Sequence, residues 1–398
     1  MEFQKTNLGE LSVNGKGSYG IAASAVPYSD ELFTYLRITD INDDGTLNKS
    51  GLMSVSDEKA EQYLLKPNDI VFARTGGSTG RSYFYDGTDG EFVYAGFLIK
   101  FSIDSTKVNP RFIKYYCLSQ EYRGWVHSFN TGSTRGNINA QTYANMPILL
   151  PSREQQDLLV DTLSVIDEKI KLNTAINENL ESQAQALFKK VIINNCNKGN
   201  GVLGDYCIIK SGFAFRSSWW TEDGVKVIKI KNIDNGKINL NDCSFVSFDK
   251  IEKAKDFLVH AGDVLIAMTG ATLGKFAIVP QINEPLLVNQ RVGKFFLGDN
   301  PIEKLPFLYC TLKQPEVITE IINRGQGSAQ ANVSGADILS TPCYIPTDDY
   351  ITEFNVICKS IFESIIINQE ENQRFSALRD TLLPKLMNGE IDVSEIKI

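Results

Sequence analysis

Two stretches of this 398-residue chain combine glycine with hydrogen-bonding side chains. They are Asn130-Thr131-Gly132-Ser133-Thr134-Arg135-Gly136-Asn137 and Arg324-Gly325-Gln326-Gly327-Ser328-Ala329-Gln330-Ala331-Asn332. Neither holds a carboxylate or a histidine. Their chemistry is therefore donating and accepting hydrogen bonds, not making and breaking covalent ones. Arg, Lys, Asn and Gln read base edges in the DNA major groove, while Ser, Thr and backbone amides hold phosphates. Glycine lets the backbone come close to such a ligand. The candidates in these loops are Asn130, Ser133, Thr134, Arg135, Asn137, Arg324, Gln326, Ser328, Gln330 and Asn332. Beside two other glycine turns stand Arg74, Thr75 and Arg81, and Thr269 and Lys275; Arg291 completes the set. A solvated surface residue is the plain alternative for any of them taken singly. The tandem aromatics Tyr115-Tyr116 and Trp219-Trp220 could stack on bases, but core packing is the simpler expectation.

Other chemistries find little support. Only two histidines occur, His127 and His260. The seven cysteines (117, 196, 207, 243, 310, 343 and 358) are scattered without a Cys-x-x-Cys pair, so neither a zinc site nor a disulfide framework is indicated. They read as the reduced, packed thiols of a cytoplasmic protein. Gly15-Lys16-Gly17-Ser18-Tyr19-Gly20 fits G-x-G-x-x-G, yet no good helix follows it, as a dinucleotide site would need. Gly270 to Lys275 is one residue short of a phosphate loop, and Phe276 stands where Ser or Thr is required. No catalytic residue, metal site or bound cofactor is expected. No long apolar run suggests a membrane span, and none follows Met1 to Lys5 to suggest a secretory signal.

Net charge is −8 and the pI is near 5.1, which argues against a general polyanion binder. The acid is unevenly spread: −2 over residues 1–151, −1 over 152–198, 0 over 199–346 and −5 over 347–398. Nucleic-acid contacts are therefore expected outside the last segment.

The elements that must position these residues are written twice. Leu8-Gly9-Glu10 returns as Leu203-Gly204-Asp205, and Leu36 to Ile41 as Ile228 to Ile233. Asp69-Ile70-Val71-Phe72-Ala73-Arg74-Thr75-Gly76 returns as Asp263-Val264-Leu265-Ile266-Ala267-Met268-Thr269-Gly270. Gly80-Arg81 returns as Gly274-Lys275, Gly132-Ser133 as Gly327-Ser328, and Pro147 and Pro151 as Pro342 and Pro346. The offset stays between 192 and 195 throughout. Such order across the chain marks an internal repeat. Each half opens with a mixed α/β domain, over 1–151 and 199–346, with helical stretches at 110–120 and 305–322. A long helix follows in each, over 152–198 and 347–398.

Both helices carry apolar residues at alternating spacings of four and three, the pattern of a coiled coil. The first seam runs Leu159, Leu163, Ile166, Ile170, Asn173, Asn177, Leu180, Ala184, Leu187, Val191. The second runs Phe354, Cys358, Ile361, Ile365, Asn368, Asn372, Phe375, then Leu382 and Leu386, with Leu378 expected to stand in for Arg379. About 40 helical residues span roughly 60 Å. Antiparallel packing of a direct repeat would bring Asn173, Asn177, Asn368 and Asn372 together at a pseudo-twofold axis. Buried asparagines there would fix register and orientation. The expected fold is α+β: two similar recognition domains separated by an antiparallel coiled coil, with a target read in two unlike halves.

The stretch Pro147 to Gln156, leading into Ile166-Asp167-Glu168-Lys169-Ile170, resembles the start of the central helix in type I restriction-modification specificity subunits. Leu382-Leu383-Pro384-Lys385-Leu386-Met387-Asn388-Gly389-Glu390-Ile391 resembles that family's C-terminal ending, and Met268 to Lys275 an element of its target-recognition domains. The first helix departs from the pattern at Leu187-Phe188-Lys189-Lys190. The resemblance implies a non-catalytic subunit that binds double-stranded DNA. It implies methyltransferase partners carrying S-adenosylmethionine, and motor-nuclease partners carrying ATP and Mg. No Pro-Pro dipeptide is present for the base-receiving loop of an adenine methyltransferase, in line with methylation by a partner. A coiled-coil scaffold without DNA binding, or an inactive paralogue, is the alternative.

Overall fold

The computed structural model describes residues 3–49, 51–129, 136–196, 200–234, 236–326 and 331–391. The chain forms two compact units, Met1–Glu168 with Ser376–Ile398, and Lys169–Phe375. Each is described by itself, and the two are built alike.

The first unit has a four-stranded antiparallel sheet in the order Ser18–Tyr19, Leu98–Ser102, Asp69–Ala73, Ser82–Tyr85. The second unit repeats it as Ile208–Ser211, Val292–Phe296, Val264–Ala267, Phe276–Ile278. Asp69–Ala73 and Val264–Ala267 are buried throughout, which is why Ile70–Ala73 and Val264–Ala267 read as unbroken apolar runs. A second sheet runs Ala25–Val26, Met53–Val55, Phe33–Leu36, Phe92–Tyr94 in the first unit, and the last pair is parallel. Its counterpart in the second unit keeps the parallel pair, as Val225–Ile228 beside Leu286–Val288. Phe3–Asn7 pairs with Pro147–Pro151, and Gly201–Val202 with Pro342–Cys343, so each domain's first strand meets its last.

A buried ion pair recurs at the head of each central strand. Asp69, 1% exposed, meets the Lys100 ammonium at 3.0 Å and accepts from the Ser102 hydroxyl and the Lys66 amide. Asp263, 2% exposed, meets Lys294 at 2.6 Å and accepts from the His260 amide. Each carboxylate ties the strand's entry turn to its neighbour, and the hydrogen bonds offset its desolvation. The helical stretches are shorter than expected. Pro110–Tyr116 ends before a new helix, Gln120–His127, whose first turn is capped by Ser119. Leu305–Leu312 stops ahead of Pro315, which opens Pro315–Arg324.

The long helices are Arg153–Val191, of 39 residues, and Asp348–Met387, of 40. In the first unit Leu159, Val160 and Leu163 share a core with Leu383, Leu386 and Met387. In the second, Ala184, Phe188 and Ile192 share one with Phe354, Cys358, Phe362 and Ile365. Burying one such side chain contributes about 1.5–3 kcal/mol. Rising numbers on one helix meet falling numbers on the other: Asp167 contacts Arg379, Asn173 contacts Glu371, and Asn177 contacts Asn368 and the Ile365 carbonyl. The packing is antiparallel in both units.

Buried polar groups fix where each helix starts. Gln156 accepts from the Asn109 amide at 2.8 Å and donates to the Pro151 carbonyl. Asn355 accepts from the Phe307 amide at 2.9 Å and donates to the Tyr206 hydroxyl. Of the four seam asparagines, only Asn177 and Asn368 bond each other directly, at 2.8 Å. Asn173 donates to Glu371 and Asn372 to Thr174, each across to the opposite helix. The expected fourfold meeting is thus one direct pair and two bonds to neighbours.

The seams differ from expectation in two places. At the end of the first helix full burial moves to Phe188 and Ile192, while Leu187 and Val191 are partly buried. A helix of 3.6 residues per turn drifts from a strict 3.5 repeat, so the buried face moves round by one residue. In the second helix Leu378 does not replace Arg379: Leu378 is 47% exposed, and Arg379 keeps the seam position. Its guanidinium lies 3.2 Å from Asp167, which also meets Lys114 at 2.6 Å and accepts from the Tyr115 hydroxyl. Burial alone would raise the Asp167 carboxyl, but Lys114 and Arg379 more than offset it and hold it below its usual value. The repeat-equivalent positions in the second unit, Tyr309, Phe362 and Ala184, are buried and apolar.

Removing Arg379 leaves Asp167 short of a partner in a largely buried place. Arg379→Ala should cost the first unit about 3 kcal/mol. The triple change Lys114→Tyr, Asp167→Phe, Arg379→Ala copies the apolar set and should recover most of that loss in urea unfolding. The carboxylate's contribution is fully present above its unfolded pKa of about 4 and is lost as pH falls through the lowered value.

Candidate nucleic-acid interface

Both units build the same junction from three pieces of backbone. The first piece is the residue that leaves the central strand, Arg74 or Met268. The second is a tight turn, ending at Phe97 or Arg291. The third is the chain that leaves the polar loop, at Asn137-Ile138 or Asn332-Val333. The Arg74 amide donates to the Phe97 carbonyl at 3.1 Å, and the Arg74 carbonyl accepts from the Ile138 amide at 2.9 Å. The Met268 amide donates to the Arg291 carbonyl at 3.0 Å, and the Met268 carbonyl accepts from the Val333 amide at 3.0 Å. Thr75 pairs with Asn137, and Thr269 with Asn332, as matching antiparallel bridges.

The duplicated glycines make the turn that follows possible. Gly80 and Gly274 have φ of 88° and 82°, a region that disfavours side chains. A Cβ there would also strike Val126 or Ile322 of the adjoining helix. In the Gly15 to Gly20 motif the middle is strand Ser18–Tyr19, and a Cβ on Gly20 would lie 2.2 Å from the Tyr94 carbonyl oxygen. Close strand packing explains that glycine.

The sequence-derived candidates divide into four groups. Asn130, Ser133, Thr134, Arg135, Ser328 and Gln330 lie outside the described residues. Arg74, Thr75, Asn137, Thr269, Arg291 and Asn332 come together at the junctions, and Asn137, Arg291 and Asn332 are exposed there. Gln326 is exposed just beyond the helix Pro315–Arg324. The remaining three hold their own unit together. Arg81 pairs with Asp43 at 2.7 Å and donates to the Ile41 carbonyl. Lys275 pairs with Asp234 at 2.5 Å. Arg324 bonds Glu320 and the Ser340 hydroxyl, tying two helices. Pairs as exposed as the first two contribute little and can re-partner.

Several polar atoms at the junctions are buried without a hydrogen-bond partner among the described residues: Arg74 Nε and the hydroxyls of Thr269 and Thr272. Buried donors without a partner are rare in folded proteins, and Arg74 and Thr269 stand at the junctions themselves. The Arg74 guanidinium also lies over the Tyr19 ring, 5.0 Å from its centroid.

The second unit adds a cluster that residue-by-residue reading missed. Trp219 stacks on Phe213 at 5.8 Å and packs edge-on to Phe215. Arg216, Lys250 and Lys253 each lie within 6 Å of the Trp219 ring centre, and Lys229 sits 3.7 Å from that of Trp220. Burial, then the neighbouring Lys231, depresses the Lys229 ammonium pKa. Phe213 bridges to Asn289, placing this cationic cluster beside the Asn289–Arg291 turn. Arg216 and Lys229 lie within ten residues of Trp219-Trp220 and were a local signal, whereas Lys250 and Lys253 are brought in by the fold. Tyr115 and Tyr116, by contrast, are core residues, bonded to Asp167 and the Pro147 carbonyl. All seven cysteines are free, and six are buried. Among the described residues no helix is long and apolar enough to cross a membrane.

Comparison with known proteins agrees with this duplicated plan. The model of the type I restriction modification DNA specificity domain matches twice, over residues 6–182 and 199–374. The MjaVIII specificity subunit of Methanocaldococcus jannaschii is 23% identical over 355 residues, covering 84% of this chain and 82% of that protein. The HindI specificity subunit of Haemophilus influenzae is 23% identical over 407 residues, covering 82% and 87%. The solved S subunit from M. genitalium has a similar fold, with a TM-score of 0.50 at 15% identity over 97% of this chain and 96% of that one. With both halves matched in order, the chain belongs to the type I restriction-modification DNA specificity family.

Proposed function

We propose that this chain is the DNA-specificity subunit of a type I restriction-modification complex. Each globular unit reads one half of an asymmetric, two-part site in double-stranded DNA. The observation that carries this reading is the junction itself: one main-chain arrangement, formed twice, keeping its Thr-Asn bridge but changing Arg74 to Met268 and Phe97 to Arg291. Methyltransferase subunits dock along the helices, and motor-nuclease subunits join them. S-adenosylmethionine, ATP and Mg reside on those partners, and the complex works in the cytoplasm. This chain makes and breaks no bonds; it positions DNA for the chemistry of others.

The decisive test is an adenine-methylation map of the host genome with the chain present and deleted. A two-part asymmetric motif should disappear on deletion; an unchanged map would defeat the reading. In the same assay Arg135→Ala should weaken one half-site and Gln330→Ala the other. Wild-type methylation in both variants would remove the polar loops from the interface.

We read the cations around Trp219 as phosphate contacts rather than base readers. Arg216→Ala with Lys253→Ala should weaken binding to all sequences alike. The slope of log affinity against log salt should become shallower by about two. A change of motif instead would make them base readers.

A further inference from the structure

Resting on that DNA-recognition reading, we infer that the side chain ending the tight turn, Phe97 in the first unit and Arg291 in the second, determines base preference in its half-site. The companions of Phe97 are Tyr19 and Arg74; those of Arg291 are Ser211 and Met268. The strand register establishes the correspondence. Tyr19 pairs with Ile99 and Ala73 with Leu98. Ser211 pairs with Gly293 and Ala267 with Val292. Each trio therefore sits at the same end of the same sheet, around the same main-chain bonds.

The chemistry of the two trios is opposite. In the first unit Phe97 is 60% exposed, an apolar ring left largely to solvent. Beside it Arg74 is held over Tyr19, with its Nε buried and unpartnered among the described residues. In the second unit Met268 replaces the arginine and accepts weakly from the Ser211 hydroxyl, at 3.7 Å. There the cation has moved to the turn: Arg291 is exposed, next to the exposed Gln290. An exposed phenylalanine suits the C5-methyl group of thymine, whereas an exposed guanidinium suits the O6 and N7 acceptors of guanine. The first half-site should then contain a T·A pair at the contacted position, and the second a G·C pair.

Main-chain bonds hold both turns, so either side chain can be removed without loss of the fold. The test is the methylation map made with Phe97→Ala and Arg291→Ala, each expressed in the complete complex. Phe97→Ala should relax one half-site at a T·A pair by about 10-fold and leave the other half unchanged. Arg291→Ala should relax the other half at a G·C pair by about as much. An unchanged motif at wild-type levels overturns the inference while leaving the DNA-recognition reading intact. A uniform loss of methylation without relaxation also overturns it, because it marks a phosphate contact. If the wild-type chain directs no motif at all, the parent reading has failed. Thermal melting of each variant at the wild-type temperature confirms that folding is not the cause.

Discussion

A helix that begins in one unit and ends in the other leaves each unit dependent on two distant stretches of chain. Leu383 and Leu386 complete the core around Leu159 and Leu163, and Ala184 and Phe188 the core around Phe354 and Phe362. The antiparallel direction follows from this exchange. It also explains why the polar residues at the helix starts, Gln156 and Asn355, are buried and fully engaged. They anchor each helix to its own domain before it leaves. The seam then tolerates polar interruptions where they find partners across it. Asn177 with Asn368 is one such place, and Asp167 with Arg379 another.

The two halves share their main-chain hydrogen bonds and differ in side chains where recognition would occur. At the head of each central strand the side chains are fixed as well, in Asp69–Lys100 and Asp263–Lys294. A few residues further on, at Arg74 and Met268, only the backbone is shared. Burial and charge pairing lock one end of the sheet, and the other is free to vary. A recognition protein built from a duplicated domain needs this division of labour.

Much of the fold was legible in the sequence because it rests on periodicity. The repeat, the paired Thr-Gly turns and the heptad seams all reflect spacing, which a linear chain displays directly. Arg379 was misplaced because its burial depends on Asp167, which lies on the other helix and far away in sequence. The slide from Leu187 to Phe188 reflects helix drift that a strict heptad ignores. At the candidate site, the loops and turns stood out by composition. The meeting of Tyr19 and Phe97 with Arg74 did not, because strand register creates it and no local pattern reveals it. Arg81, Lys275 and Arg324 looked like the other basic candidates, and only their partners set them apart.

The shared helices also impose an order on synthesis. Every segment of the second unit, 169–375, has left the ribosome before the last segment of the first unit, which begins at Ser376. The domain made first is thus the one completed last, and the core around Leu159, Val160 and Leu163 stays unfinished until Leu383, Leu386 and Met387 arrive. A chain interrupted just before residue 376 would carry a finished second unit and an open first one, with an apolar stripe exposed to chaperones and proteases. The nascent protein can therefore be judged whole by whether its earliest domain has closed.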